Sequence, residues 1–189
     1  DSIINGSVAA NNIMLQGVNS LNSTVQVANL ISNGTTTIDG DVIASGSVVS
    51  QNNTNITFNG NVTAQTVDAN SGINLFNKNV TATKLLQLGG DSTIVGETIA
   101  ADINILDDST TIFTGGVTST GTTSTRGDTT FNSDVNLKIL ATNGNTDFNA
   151  GVVATDIIAR GNTNFNSTLT ATSLSSYDET VISGAANIS

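Results

Sequence analysis

Residues 127–140 read GDTTFNSDVNLKIL, residues 144–157 read GNTDFNAGVVATDI, and residues 161–174 read GNTNFNSTLTATSL. The three stretches start 17 residues apart and carry Gly, Thr, Phe, Asn and aliphatic residues at matching positions. Self-similarity at a fixed short period is the signature of a repeat protein in which each repeat is one structural unit. The whole chain therefore has to be read in this period before any local element is assigned.

All six phenylalanines fall in one phase of the repeat. The 37 residues between Phe76 and Phe113 span two periods, and Val95 fills the middle of that gap. This phase also places Ile99, Ala101 and Leu85 in the apolar columns that follow the anchor by four, six and nine residues. Extending it in both directions gives eleven anchors spaced by 17 to 20 residues, and the added ones are Ile4, Leu21, Ile38 and Ile182.

The columns of the repeat predict an all-β fold. Inward positions alternate by twos, which is the period of a β-strand, and Gly and Asn separate three short strands per repeat because they suit tight corners. The chain has no proline, as expected where nearly every N–H bonds to a neighbouring turn. We predict one domain over residues 1–189, a parallel β-solenoid of ten to eleven turns, and the turn length favours a left-handed coil.

Stacking of equal residues predicts two structural ladders along this coil. The phenylalanine rings can stack inside, and the Asn column that follows them can form an amide ladder. Their members are Phe58, Phe76, Phe113, Phe131, Phe148, Phe165, Asn59, Asn77, Asn132, Asn149 and Asn166.

Composition excludes several function classes. Thr, Asn, Ser and Gly number 30, 26, 20 and 18 of 189 residues, while Cys and His are absent, so thiol or His triads and Cys or His metal sites cannot form. The net charge of −10 opposes binding to nucleic acid, and no apolar run is long enough for a membrane span. We expect no enzymatic activity and no cofactor, and an extracellular or cell-surface location reached after removal of a signal.

Few residues lie outside the repeat pattern. Asp107 and Asp108 are the one pair of adjacent aspartates and thus the candidates for a calcium site, although no calcium-binding motif surrounds them. The tripeptide Arg126-Gly127-Asp128 matches an integrin-binding signal, but its last two residues occupy columns of the repeat. Outward Thr pairs suggest ice binding, and in the phase chosen here Asp102 and Lys138 interrupt their row.

Turns such as Thr57–Ala64 and Thr130–Val135 resemble repeats of bacterial surface β-solenoids, notably autotransporter passenger domains, adhesins and surface-layer proteins. The resemblance is one of repeat style, and it implies a structural or adhesive role at a cell surface. It carries over no functional residue. The turn length also resembles the left-handed hexapeptide solenoid, whose enzymes use His, which this chain lacks.

The two ends of the repeat array show no capping repeat, since the motif is in phase at Ile4 and again at Ile182. Solenoids normally carry atypical end repeats because a bare terminal turn exposes unpaired N–H and C=O groups. Two expectations follow: the chain is a subunit that stacks end to end into a surface filament, sheath or layer, or it is a fragment of an adhesin that binds a glycan or host surface. The first is favoured, and its partner is another copy of the chain.

Overall fold

The computed structural model describes residues 1–52, 54–70 and 72–189. Within them the chain forms two parallel sheets of 11 and 12 strands, here called sheet 1 and sheet 2. Sheet 1 contains β1 (Ser2–Ile4), β3 (Asn19–Leu21), β5 (Thr36–Ile38), β8 (Ile56–Phe58), β10 (Ile73–Phe76), β12 (Asp91–Ile94), β14 (Thr110–Phe113), β16 (Asp128–Phe131), β18 (Thr146–Phe148), β20 (Thr163–Phe165) and β22 (Thr180–Ile182).

Sheet 2 contains nine strands of eight or nine residues and three shorter ones. They are β2 (Val8–Leu15), β4 (Val25–Ser32), β6 (Val42–Ala44), β7 (Ser47–Ser50), β9 (Val62–Ala69), β11 (Val80–Leu88), β13 (Thr98–Ile105), β15 (Val117–Thr125), β17 (Val135–Thr142), β19 (Val152–Ala159), β21 (Leu169–Ser176) and β23 (Ala186–Ile188). Each strand pairs with the equivalent strand of the turns before and after it, except that the strands at the two ends of each sheet pair on one side only. The predicted parallel β-solenoid of about eleven turns is therefore confirmed.

The turn has two strands rather than the predicted three. The second and third predicted strands run together into one strand of eight or nine residues in most turns, and only β6 and β7 remain separate. The inward residues of β17 include Val135, Leu137 and Leu140. The alternation of inward and outward residues therefore shifts by one position between Leu137 and Leu140, while the strand continues. The corner that we expected between the two strands is thus a bend within one strand.

The core is a set of columns between the two sheets. The six phenylalanines are fully buried, and the residues that share the interior with them are mainly Val, Leu, Ile and Ala of sheet 2. Phe113, Phe131, Phe148 and Phe165 stack in succession with ring centroids 4.9, 4.7 and 5.1 Å apart, and Phe58 stacks on Phe76 at 5.0 Å. Ring stacking adds to the burial of apolar area, which is the main stabilising contribution.

The anchor of the sixth turn is Ile94, so the prediction of Val95 was wrong. Ile94 pairs with Phe76 on one side and with Phe113 on the other, whereas Val95 is exposed. Two columns shift with it, because Thr98 and Ala100 face the core in place of Ile99 and Ala101. A 37-residue gap divides into either 18 and 19 or 19 and 18 residues, and both candidate anchors are aliphatic.

A second column is also displaced by one residue. Leu86, not Leu85, aligns with Val67 and Ile103, because β11 contains an extra residue between Ala82 and Leu85. The insertion is a β-bulge, which leaves the pairing before and after it intact. Spacing from the anchor predicts column positions only where the strand has no bulge.

Close approach of successive turns explains the glycines at one corner. A Cβ at Gly144 would overlap the carbonyl oxygens of Arg126 and Gly127, and a Cβ at Gly161 would overlap the carbonyl of Gly144. Only glycine allows the backbones of neighbouring turns to approach this closely. The Gly column of the motif is therefore a requirement of stacking.

Candidate functional site

The predicted amide ladder lies along the corner that follows sheet 1. The Asn77 side-chain amide donates to Asn59 Oδ1 at 2.7 Å, and Asn59 donates to Asp39 Oδ1 at 2.6 Å. Nearer the other end, Asn166 donates to Asn149 at 3.0 Å and Asn149 to Asn132 at 2.9 Å. Val95 and Thr114 occupy the positions between these two runs, so the structure divides the predicted column into separate ladders.

These side chains are engaged with one another. An Asn in the middle of a run uses one N–H to donate and its oxygen to accept, and both bonds lie along the coil axis. Such ladders satisfy polar groups and fix the register of the turns. Their role in the described structure is therefore structural, and they do not converge on a pocket.

Several aspartates also bond to the backbone of the next turn. Asp134 Oδ1 accepts the N–H of Gly151 at 2.8 Å, Asp41 Oδ1 accepts the N–H of Asn61 at 2.8 Å, and Asp102 Oδ1 accepts the N–H of Thr122 at 2.7 Å. In the sequence these acids cannot be distinguished from isolated surface charges. The signal that could have found them is an Asp one turn before a corner or bulge residue whose N–H lacks a ladder partner.

Asp107 and Asp108 lie in the turn between β13 and β14, and both are exposed. Asp108 has a left-handed backbone with a φ of 56°, which Asp adopts more readily than most residues. In the described part of the chain, no group of three or more acidic residues could hold a metal ion. The pair therefore lacks the additional oxygen ligands of acidic side chains that calcium sites commonly use.

The Arg126-Gly127-Asp128 tripeptide lies at the corner between β15 and β16. The side chains of Arg126 and Asp128 are exposed, whereas Gly127 is buried against the carbonyl oxygens of Leu106 and Ser109. Asp128 Oδ1 accepts the side-chain amide of Asn145 at 2.9 Å. On the same corner, the Arg160 guanidinium lies 5.7 Å from the centre of the Tyr177 ring, a cation–π distance.

The outward row of sheet 2 carries less charge than predicted. With Ile94 as the anchor, the sixth turn presents Ile99 and Ala101 in this row, and Asp102 lies beside the bulge of β15 instead. Lys138 is the charged residue that remains in it. The complete outward Thr pairs are Thr81 and Thr83, Thr118 and Thr120, and Thr170 and Thr172.

Asp68 is an acid whose proton affinity is changed by burial in the fold. Burial raises the pKa of its carboxyl, and hydrogen bonds from Gln87 and Asn70 partly oppose this effect. The Gln87 amide donates to Asp68 Oδ1 at 3.0 Å, and the Asn104 amide donates in turn to Gln87 at 3.0 Å. This short ladder on the outside of sheet 2 contains neither a nucleophile nor a second acid.

No protein family model, no curated protein and no solved structure matches the chain. Within the described ranges, no helix is long and apolar enough to cross a membrane. The described residues form a β-solenoid, and the features that bear on its function lie on its surfaces and at its ends.

Proposed function

We propose that the chain is a non-enzymatic structural element of an extracellular filament, sheath or layer, in which solenoids join end to end. The observation that supports this proposal is that the apolar core columns continue into the first and last turns. Ile4 and Ile182 occupy the anchor column and pack on the core, yet both are only partly buried, whereas Leu21 and Phe165 beside them are 1% exposed. A further turn would bury them.

Backbone pairing supports the same proposal. Among the described strands, β1 pairs with β3 alone and β22 pairs with β20 alone, so each presents a parallel edge. Such an edge is a template for another strand. Contact between two different ends is heterologous and does not close, so repeated joining gives a filament. In the proposed assembly, the first turn of one copy continues the sheets of the last turn of another.

The absence of enzymatic activity belongs to this proposal. The sequence contains no His and no Cys. Asp41, Asp102 and Asp134 each accept a backbone N–H group of the following turn. These contacts give the polar residues a structural role without any reaction.

The alternative is that the chain is a segment of an adhesin, as in the bacterial surface solenoids that its repeats resemble. The observation that favours it is the corner on which Arg126, Asp128, Arg160 and Tyr177 are all exposed. Tyr177 is the one tyrosine of the sequence, and the residue is 72% exposed. Exposed aromatic and Arg side chains are typical anchors of binding surfaces.

Electron microscopy and light scattering of the purified 189-residue chain test end-to-end joining. We expect fibres whose amount rises with protein concentration and whose axial repeat is roughly 50 Å, because eleven turns stack at about 4.8 Å each. Stable monomers at high concentration would contradict the filament and leave the adhesin segment.

Two matched pairs of variants locate the contact. Ile4→Lys and Ile182→Lys place a charge in the core column at each end, whereas Ile3→Lys and Val181→Lys change outward neighbours on the same strands. We expect the first pair to abolish fibres and the second pair to retain them. Circular dichroism confirms that each variant keeps its β structure, and equal fibre formation by all four would argue against joining through the ends.

A further inference from the structure

The phenylalanine stack is interrupted at the sixth turn. Ile94 is fully buried between Phe76 and Phe113, so the ring-on-ring contacts of the column fall into two runs. One run joins Phe58 to Phe76, and the other joins Phe113 to Phe165. Because each stacked pair is worth about 0.5–1.5 kcal/mol beyond its buried area, the junction at Ile94 lacks a contribution that the runs on both sides have.

The amide ladder is interrupted at the same level. The residues that follow the anchors of the sixth and seventh turns are Val95 and Thr114, and neither carries an amide. Asn77 ends the run of bonds that begins at Asp39, and Asn132 begins the next run. Two ladders on different sides of the backbone therefore break in adjacent turns.

The core of these two turns contains hydroxyl groups in columns that are apolar in neighbouring turns. Thr98 pairs with Val80 and Val117, and Thr123 pairs with Ile103 and Leu140. Both are completely buried, and neither hydroxyl has a hydrogen-bond partner among the described residues. The same holds for the hydroxyl of Thr111. Each such group loses its bonds to water without replacement, which destabilises the folded state.

Strand pairing is also irregular at this level. The strand that the sixth turn contributes to sheet 2, β13, lies between two bulged strands, β11 and β15, so its register shifts against both. The bulge in β15 includes Gly121, where a side chain would overlap Asp102. A bulge interrupts the ladder of backbone hydrogen bonds, and glycine adds conformational freedom to the open chain.

We infer that residues 92–125 form a built-in point of local opening that separates two more stable stacks of turns. Four independent features coincide there: the missing ring contacts, the missing amides, the unpartnered buried hydroxyls and the register shifts. In a solenoid each turn contacts only its neighbours, so local stability varies along the coil and weak turns open first. The middle of such a rod opens first, while the two flanking stacks remain folded and template its closure.

Native-state hydrogen exchange followed by mass spectrometry tests this inference on the whole chain. We expect the amides of β13 and β15 to exchange at least about tenfold faster than those of β9 and β19. One unsatisfied buried group lowers local stability enough to increase the population of the open state by about this factor. Equal or slower exchange in β13 and β15 would overturn the inference. This comparison needs no variant and does not depend on how the ends of the solenoid behave.

A combined variant tests the cause. Ile94→Phe, Thr98→Val and Thr123→Leu restore the residue types of the neighbouring turns, and we expect exchange in β13 and β15 to slow to the level of β9. The control is Val80→Thr with Val62→Thr, which introduces hydroxyls into the same column of the two preceding turns. It should accelerate exchange in β9 and β11. If the combined variant retains β structure but exchange in β13 stays fast, the three substituted residues do not cause the opening. If the control variant leaves exchange in β9 and β11 unchanged, unpartnered hydroxyls are not its cause.

Discussion

The hydroxyl groups of Thr142 and Thr163 lie 2.6 Å apart inside the coil. They belong to two facing columns, and Thr125 and Thr146 make the equivalent contact one turn earlier at 2.8 Å. Two turns before Thr125 and Thr146, the residues in these two columns are Leu88 and Thr111. The Thr111 hydroxyl has no partner because the residue that would face it is a leucine.

This relationship predicts opposite effects for the same substitution. Thr163→Val leaves the buried Thr142 hydroxyl without a partner and should lower the free energy of unfolding by about 1–3 kcal/mol. Thr111→Val removes an unpartnered hydroxyl and should raise it by about 1 kcal/mol. Urea denaturation of both variants measures the difference. Restoration of stability when Thr142→Val is added to Thr163→Val would support the pairing, and equal losses in the two single variants would contradict it.

Ring stacking predicts a graded cost along the phenylalanine column. Phe148 stacks on rings on both sides, whereas Phe58 stacks on Phe76 alone. Phe148→Leu should therefore destabilise more than Phe58→Leu, by about 0.5–1.5 kcal/mol for the one additional stacked pair. Thermal and denaturant melts compare the two variants directly. A larger loss at Phe58 would show that the fit of the aliphatic neighbours, and not stacking, sets the cost.

Close packing at the glycine corner predicts which glycine accepts a side chain. Gly144→Ala would drive a methyl group into the carbonyl oxygens of the preceding turn, and the forced separation of turns should cost at least about 2 kcal/mol. Gly6→Ala is the control, because nothing lies within 4 Å of the position of its Cβ. Circular dichroism melts should show a large loss for the first variant and no loss for the second. Equal melting temperatures would mean that the corner can spread without cost.

Burial of Asp68 predicts a small dependence of stability on pH. Because its folded-state pKa is raised above the unfolded value of about 3.9, the folded chain binds this proton more tightly. The contribution of Asp68 to stability is therefore largest at low pH, and it is lost as pH rises through the raised folded-state pKa. Asp68→Asn should remove this dependence and retain the bond from Gln87, since an Asn oxygen also accepts it.

The control for that measurement is Asp147→Asn. Asp147 also accepts a side-chain amide from the next turn, at 2.7 Å from Asn164, so it loses the same charge with the same kind of bond kept. Between about pH 3 and pH 7, the melting temperature should vary differently from that of the parent chain in Asp68→Asn, which lacks the stabilisation at low pH that Asp68 provides. Asp147→Asn should keep that stabilisation. Identical profiles would assign the pH dependence to the net charge of the chain.

Much of the architecture follows from the sequence because equal residues stack on one another. The period of Phe131, Phe148 and Phe165 predicts both the coil and the buried column, and the alternation around it predicts the inward faces. The error at Val95 arises because Ile94 is equally apolar, and only contact with the neighbouring turns distinguishes them. The bulge at Leu85 and the bend within β17 are decided by packing across the sheet, which spacing does not encode.

The candidate site was less predictable for a related reason. Asp102 and Asp134 bond to N–H groups of the following turn, and such contacts depend on how the corners of two turns align. In the sequence these residues are isolated acids. The unpartnered hydroxyls of Thr98 and Thr123 are likewise invisible until the phase of their turns is known.

The amide ladders give the rod an electrical direction. Asn59 donates to Asp39, Asn145 to Asp128 and Asn164 to Asp147, and in each pair the acceptor belongs to the earlier turn. A carboxylate can only accept hydrogen bonds. An Asp at the start of a run therefore orients the side-chain amides of the following turns so that the positive end of each dipole points toward earlier turns. Dipoles aligned in this way add along an axis, as peptide dipoles do in a helix. Two solenoids that meet head to tail continue the alignment, whereas a reversed copy would oppose like poles, so a fibre of this protein would have two chemically different tips.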